Sequence, residues 1–213
     1  MQLVVPIIRY YRMPLLLLGF CLGLIFIRLL VSGSFFFGFL AWNLILAIIP
    51  YLITQTVMFY GIYRIPKAFQ ILLFLFWLLF LPNAPYLITD LVHLHSSFAD
   101  QRWLDLFIVF VFALTGWLFG LLSLLDFNQF IRTRIVSRAS DLILIVICFT
   151  TGYGLYLGRF LRFNSWDIVF KTETLLREMA ISFAKPYVWL MTLAFGSFLC
   201  LSFWFLKWVK EDS

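Results

Sequence analysis

Long apolar runs separated by short polar segments form the dominant pattern of this chain. Six windows are apolar enough to predict helices that cross a bilayer, since one crossing needs about 20 mostly apolar residues. The windows cover residues 13–31, 39–60, 68–82, 104–125, 141–158 and 187–206. The pattern predicts an all-α integral membrane bundle of about six transmembrane helices, with residues 1–213 forming a single transmembrane domain.

Prolines interrupt the pattern after the third window and predict a short helix near residues 85–95. Pro82 and Pro85 end the third span, and Pro85 suits the first turn of a new helix because no N–H is needed there. On that helix Tyr86, Asp90 and His93 share one face. A separate apolar face contains Leu87, Leu91 and Leu94. The segment is therefore expected to lie at the membrane surface or to re-enter the membrane.

Asp90 and His93 are the first candidates for chemistry. Their spacing allows a hydrogen-bonded pair that fixes the segment, a proton-handling or ligand-binding site, or a metal ligand pair. An ionisable group at membrane depth costs about 2.5–3.5 kcal/mol on insertion scales, so such a group commonly has a function and a specific partner. The three interpretations stay open at this point.

A second polar segment follows the fifth window. Arg159 and Arg162 share a helix face, and Asn164 with Asp167 resembles a capping box. An interfacial amphipathic helix is predicted over residues 165–183 from an apolar stripe of helical period. The stripe contains Ile168, Leu175, Leu176, Met179 and Phe183. The arginines are expected to contact lipid phosphate, to pair with Asp90 or Asp167, or to bind an anionic substrate.

Composition excludes a water-soluble domain. The chain is 64% apolar and 12% charged, against about 45–50% and 25% in soluble domains. Its net charge of +6 comes from basic residues in short loops, so the expected partners are the lipid bilayer and anionic phospholipid head groups, with no nucleic acid. A homo-oligomer or a larger membrane complex stays open.

The basic residues also predict an orientation. Nine of them fall in segments that share one side if the N-terminus is cytoplasmic. They are Arg9, Arg12, Arg64, Lys67, Arg132, Arg134, Arg138, Lys207 and Lys210. Both termini are then cytoplasmic, and residues 82–103 and 158–186 share the external face. The segment 158–186 is the exception to the bias, because it holds five basic residues. The run 13–31 is long enough to be an uncleaved first helix rather than a signal peptide.

Known catalytic and metal-binding patterns give no further signal. The sequence has no phosphate-binding Gly-rich loop, HExxH pair or CxxC pair. Its cysteines, Cys21, Cys148 and Cys200, all lie in apolar runs. We therefore expect free thiols, no metal site and no cofactor.

Two stretches resemble the signatures of a known family. They are LPNAPYLITDLVHL at residues 81–94 and GRFLRFNSWD at residues 158–167. Both are similar to motifs of an uncharacterised family of bacterial multi-pass membrane proteins, the domain-of-unknown-function family numbered 1361. The resemblance implies a bacterial cytoplasmic membrane and a bundle of six or so helices. It implies no established activity and no catalytic residues.

The leading functional hypothesis is a transporter-like site for an anionic or proton-linked small ligand at the external face. Its predicted residues are Asn83, Tyr86, Asp90, His93, Arg159, Arg162 and Asp167. Asp90 and His93 would handle charge or protons, the arginines would hold an anion, and the other three would orient them.

Two alternatives belong to other classes. A membrane-embedded enzyme acting on a lipid or lipid-linked substrate would use Asp90 or His93 as general base or acid. It predicts a cavity that opens to the bilayer and reaches both motifs. A scaffold or complex subunit without its own chemistry predicts motif side chains that bond to one another.

Overall fold

The computed structural model describes residues 4–33, 35–61, 65–92 and 102–212, with side chains from residue 12 onward. Across these ranges the chain forms helices and turns and no strand. The helices are α1 (Val4–Ser32), α2 (Gly38–Tyr60), α3 (Lys67–Phe80), α4 (Asn83–Thr89), α5 (Arg102–Arg132), α6 (Ser137–Arg159), α7 (Asp167–Phe170), α8 (Thr172–Ser182) and α9 (Pro186–Glu211).

Six helical segments of the described chain are long and apolar enough to cross a membrane. They are Arg12–Ser32, Gly38–Tyr60, Lys67–Val92, Arg102–Arg132, Ser137–Arg159 and Pro186–Glu211. The predicted all-α bundle is confirmed, and the chain is an integral membrane protein. The fourth span, predicted at 104–125, is longer because α5 continues through polar residues to Arg132.

Helix α5 is the centre of the bundle. It contacts α1, α2, α4, α6 and α9, and small residues along it allow the close approaches. A Cβ atom on Gly116 would lie 2.3 Å from Leu87 Cδ1, and one on Gly120 would lie 2.6 Å from Ala84 Cβ. The two glycines therefore leave the space in which α4 packs.

The short helix predicted near residues 85–95 exists as α4, which lies inside the bundle. Ala84, Pro85 and Leu87 are buried, and α4 contacts α2, α5 and α6. Helix α4 thus continues the third membrane-spanning segment, Lys67–Val92, and the choice between re-entry and the membrane surface stays a prediction. His93 and the rest of the predicted helix, residues 93–95, lie outside the described residues.

The prediction of a single interfacial helix over residues 165–183 is wrong, because two helices with a break between them cover this range. The backbone turns at Lys171, where φ is −133° and ψ is 36°, and separates α7 from α8. Both helices expose large apolar side chains, including Val169 and Phe170 on α7 and Leu176 on α8. The apolar stripe is real, but two short helices share it.

Candidate functional site

Polar side chains meet at one end of the bundle, which we call the motif end. Here α1, α4 and α6 end and α2, α5 and α9 begin. Three buried or half-buried residues from different helices form its core: Asn43 on α2, Asp90 directly after α4, and Arg159 at the end of α6. The sequence segments that carry Asp90 and Arg159 are far apart along the chain but in direct contact in the fold.

Asp90 is almost completely buried, with 1% of its surface exposed. Its Oδ1 atom accepts a hydrogen bond from Arg159 Nη1 at 3.1 Å, and its Oδ2 atom accepts one from Asn43 Nδ2 at 2.9 Å. Each carboxylate oxygen thus has a donor from a different helix. Three kinds of contact were predicted for the arginines, and the structure shows pairing with Asp90 for Arg159.

Arg159 connects this buried carboxylate to the surface. Its Nη2 donates to the Thr89 carbonyl at 3.0 Å, its Nη1 lies 3.5 Å from the Tyr86 hydroxyl, and its guanidinium lies 5.5 Å from the centre of the Tyr86 ring. The side chain nevertheless keeps 16% of its surface exposed. The exposed part of this side chain is where an external anion would approach it.

Ser165 makes a second contact between the two motifs. Asn83 Nδ2 donates to Ser165 Oγ at 3.3 Å and to the Phe80 carbonyl at 2.8 Å. Ser165 Oγ in turn donates to the Leu79 carbonyl at 3.1 Å. These bonds use carbonyls that the proline-terminated α3 leaves without an N–H partner in its own helix. The helix break therefore also fixes the position of the second motif.

Asp167 lies buried beside this contact and holds its own loop. Its Oδ2 accepts the Asn164 N–H at 2.8 Å, and Lys171 Nζ lies 3.2 Å from its Oδ1. The carboxylate bond back to Asn164 is one half of the predicted capping box; the Asp167 N–H bonds instead to the Asn164 carbonyl. Mainly through the bond from the Asn164 N–H, and also through Lys171, the pKa of Asp167 is lowered.

The lowered pKa predicts an acid-sensitive loop. A carboxyl group whose pKa is lower in the folded state stabilises that state above its unfolded pKa, near 3.8, and this stabilisation is lost as pH falls through the folded value. We expect amide hydrogen exchange in residues 163–171 to be slow at neutral pH and to accelerate relative to the intrinsic rate below about pH 4.

Asp167→Asn is the variant that tests this acid sensitivity. It should give fast exchange in residues 163–171 at neutral pH and little further change on acidification. The exposed carboxylate of Asp212 provides the control, and Asp212→Asn should exchange like the native chain. If the native loop showed no acid-dependent exchange beyond that of Asp167→Asn, the assigned role of Asp167 would be wrong.

Arg162 is separated from the core of this cluster. It is exposed at the surface and has a φ of +58°, in the left-handed region that L residues seldom adopt. The structure therefore groups Tyr86, Asp90 and Arg159 around one contact and joins Asn83 to Ser165 in a second. Arg162 and Asp167 lie in the loop that follows α6. We call Asn43, Asn83, Tyr86, Asp90, Arg159 and Ser165 the motif-end cluster.

Sequence reasoning missed a second buried ion pair at the motif end. Arg28 Nε donates to Asp105 Oδ1 at 2.5 Å, and both residues are buried. Neither residue is among the predicted site residues, and Arg28 is not among the basic residues that predict the orientation, although it lies inside the apolar window 13–31. An arginine inside an apolar window was the available signal, because such a residue usually has a specific partner.

Other polar contacts lie at the opposite end of the bundle. Thr54 Oγ1 and Gln55 Nε2 donate to the buried Asp126. A charged network joins α5, α6 and α9 through ion pairs of 3.5–3.7 Å. Its members are Arg132, Asp141, Lys207 and Glu211. These contacts hold the helix ends together and are far along the chain from both motifs.

A cavity of about 60 Å³ lies between α2, α3 and α5, near Asp126. Its walls include none of the predicted site residues. Among the described residues, no group of three or more His, Cys, Asp or Glu side chains is arranged to hold a metal ion. The motif-end cluster is therefore a set of charge-assisted hydrogen bonds with one partly exposed arginine.

Comparison with known proteins gives a single type of match. No curated protein and no solved structure matches the chain. The family model described as "Protein of unknown function (DUF1361)" matches residues 42–202, which include both motifs and five of the six membrane-spanning segments in whole or in large part. The chain therefore belongs to the DUF1361 family of proteins of unknown function.

Proposed function

We propose that this protein binds an anionic or proton-linked small ligand at the motif-end cluster, which faces the exterior of a bacterial cytoplasmic membrane. The orientation is supported by the basic residues in the loops at the opposite end. Anionic phospholipid head groups are further expected partners of those loops. One observation carries the proposal: the Arg159 guanidinium pairs with the buried Asp90 carboxylate and still reaches the surface.

This geometry gives the arginine two alternative partners. A ligand carboxylate or phosphate that binds the exposed side of Arg159 would compete with Asp90 for its N–H groups. A proton on Asp90 would remove the charge that holds Arg159 and would favour the ligand. The exposed Arg162 on the following loop adds positive charge at the same rim. Asn43, Asn83 and Tyr86 keep the cluster in place.

The test measures anion binding to the purified chain. Inorganic phosphate and acetate are titrated against the protein in detergent micelles, and vesicles containing phosphatidylglycerol are tested separately. Losing one charge-assisted contact of about 1.5–3 kcal/mol predicts roughly a tenfold to hundredfold weaker affinity in Arg159→Gln. Arg138→Gln is the matched control, because Arg138 is an exposed arginine at the opposite end.

The three probes distinguish a soluble anion from a lipid head group, and they also define the results that would reject the site. Binding of phosphate or acetate indicates a soluble anion, whereas binding of vesicles alone indicates a lipid head group. Equal affinity of Arg159→Gln and the native chain, or no binding of any of the three probes, would reject the site. Uptake of a bound anion into proteoliposomes would extend the proposal from binding to transport.

A second candidate function is a structural subunit, and the bonds within the motif-end cluster favour it. Asp90, Arg159 and Asn43 bond to one another, as this hypothesis predicts. Exchanging the two charges, Asp90→Arg with Arg159→Asp, distinguishes the candidates. A structural pair should regain much of the stability that either single change removes. If the cluster is a ligand site, the exchanged variant should still fail to bind an anion, because its arginine is then buried and its carboxylate faces the anion.

A further inference from the structure

Two cysteines face each other in the contact between α6 and α9. Cys148 and Cys200 lie near the middle of their helices, Ser137–Arg159 and Pro186–Glu211. A hydrogen bond joins the two thiols, and both cysteines are free in this structure. The pair is separate from the motif-end cluster and from the function proposed for it.

The register of the two helices brings these thiols together. Gly152 on α6 meets the backbone of α9 at Gly196. Further from the motif end, Lys207 Nζ lies 3.6 Å from Asp141 Oδ1. The two contacts show that α6 and α9 run antiparallel, because later residues of α6 meet earlier residues of α9. One helical turn from the glycine contact, about four residues, therefore places the two cysteines opposite each other.

The glycine contact also brings the two backbones within the range that a disulfide requires. A Cβ atom on Gly152 would lie 3.4 Å from the Gly196 Cα atom. A C–C bond adds about 1.5 Å, so the two Cα atoms are no more than about 5 Å apart. Disulfides join residues whose Cα atoms are about 4.4–6.8 Å apart. One turn away, the hydrogen-bonded thiols need only a short approach to form a covalent bond.

Lipid is the medium from which a reactant would reach the pair. Cys148 is buried, whereas Cys200 keeps part of its surface exposed. Its neighbours Leu201 and Phe205 expose 68% and 64% of their surfaces. Because this part of α9 lies in the middle of a membrane-spanning segment, the exposed surface faces hydrocarbon, which a charged reactant enters only at a high cost. An oxidant of this pair therefore has to be uncharged and soluble in lipid.

We propose that Cys148 and Cys200 are an oxidation site, at which a lipid-soluble quinone converts the two thiols into an interhelical disulfide. Each thiol gives up one proton and one electron, and one S–S bond replaces two S–H bonds. The quinone takes up both protons and both electrons and becomes the hydroquinone. Reactants and products are all uncharged, as the hydrocarbon region requires. The new bond would prevent α6 and α9 from separating in the middle of the membrane.

Duroquinone tests the reaction on the full chain in sealed phosphatidylcholine vesicles. Its methyl groups block addition of thiols to the ring, so oxidation is the reaction that is left. We expect the intact mass to fall by two hydrogens, and maleimide labelling after unfolding to fall from three cysteines to Cys21 alone. Hexacyanoferrate(III) is the stronger oxidant but is anionic, and it should give roughly tenfold less disulfide. No disulfide with duroquinone, or an equal yield from the two oxidants, would overturn the proposal.

Cysteine variants locate the bond. Cys21→Ser should form the disulfide like the native chain, because Cys21 lies on α1, whereas Cys148→Ser and Cys200→Ser should each lose it. As a register control, Cys200→Ala with Leu201→Cys moves the thiol to the lipid-exposed surface and should give a roughly tenfold lower yield than the native chain. An equal yield in this control, or an intramolecular disulfide in Cys148→Ser or Cys200→Ser, would overturn the proposal. If a serine variant does not fold, the register control still decides.

Discussion

Replacing Asp105 by Asn is expected to lower the free energy of unfolding by about 3–5 kcal/mol. Asp105 is completely buried, and its partner Arg28 keeps only 6% of its surface exposed. The substitution leaves the Arg28 guanidinium charged inside the bundle without an anion. The Phe37 ring, 5.6 Å from the guanidinium, offers only a weak cation–π contact in exchange.

The loss of stability in Asp105→Asn should be greatest where α1 joins the bundle. Among the contacts of α1, those to α5 and α2 are the main ones, and the span it forms is the least buried of the six. Loss of the ion pair therefore removes a large share of what holds α1 in place. Hydrogen exchange should accelerate in α1 more than in α6 or α9.

The free energy of unfolding is measured in mixed micelles by raising the fraction of a denaturing detergent. Asp212→Asn removes an exposed carboxylate and should stay within about 0.5 kcal/mol of the native chain. The double variant Arg28→Met with Asp105→Leu removes both charges and should recover most of the stability lost by Asp105→Asn. A single variant as stable as the native chain, or a double variant no better than the single one, would contradict the assigned pairing.

The membrane-spanning segments were predictable because length and composition alone define them. Continuous apolar runs and the pair Pro82 and Pro85 sufficed to place the helices and the break between α3 and α4. The break at Lys171 was not predictable in the same way. The apolar stripe continues through it with helical period, and only the backbone angles of that residue show the turn.

The site was predictable as a meeting of two segments but not in its pairings. Alternation of the spans placed residues 82–103 and 158–186 on one side, and Arg159 does contact Asp90. Several partners were compatible with the sequence for each arginine, since helix rotation decides which side chain points inward. Arg162 lies outside the cluster because α6 ends at Arg159, so the two arginines do not share a helix face, and Arg162 is exposed in the following loop with a φ of +58°. The cavity beside Asp126 depends on the distances between three helices. No local sequence pattern predicts those distances.

Gly152 allows the backbones of α6 and α9 to approach each other closely. The spacing of Gly154 and Gly158 matches a common helix-packing motif, yet Gly154 faces Pro82. Gly152 instead meets the backbone of α9 at Thr192 and Gly196. A Cβ atom there would lie 2.7 Å from the Thr192 carbonyl oxygen and 2.9 Å from the Gly196 nitrogen. Neither backbone atom can move aside as a side chain can.

Gly152→Ala is therefore expected to lower the free energy of unfolding by about 1–3 kcal/mol, because α6 and α9 must separate to admit the methyl group. Gly23→Ala is the matched control, since a Cβ atom on Gly23 of α1 meets nothing within 4 Å. Alanine favours helix there, so this variant should equal or exceed the native stability by up to about 1 kcal/mol. The same unfolding titration compares the two. An equal effect of both substitutions would show that helix propensity, rather than the α6–α9 contact, determines the result.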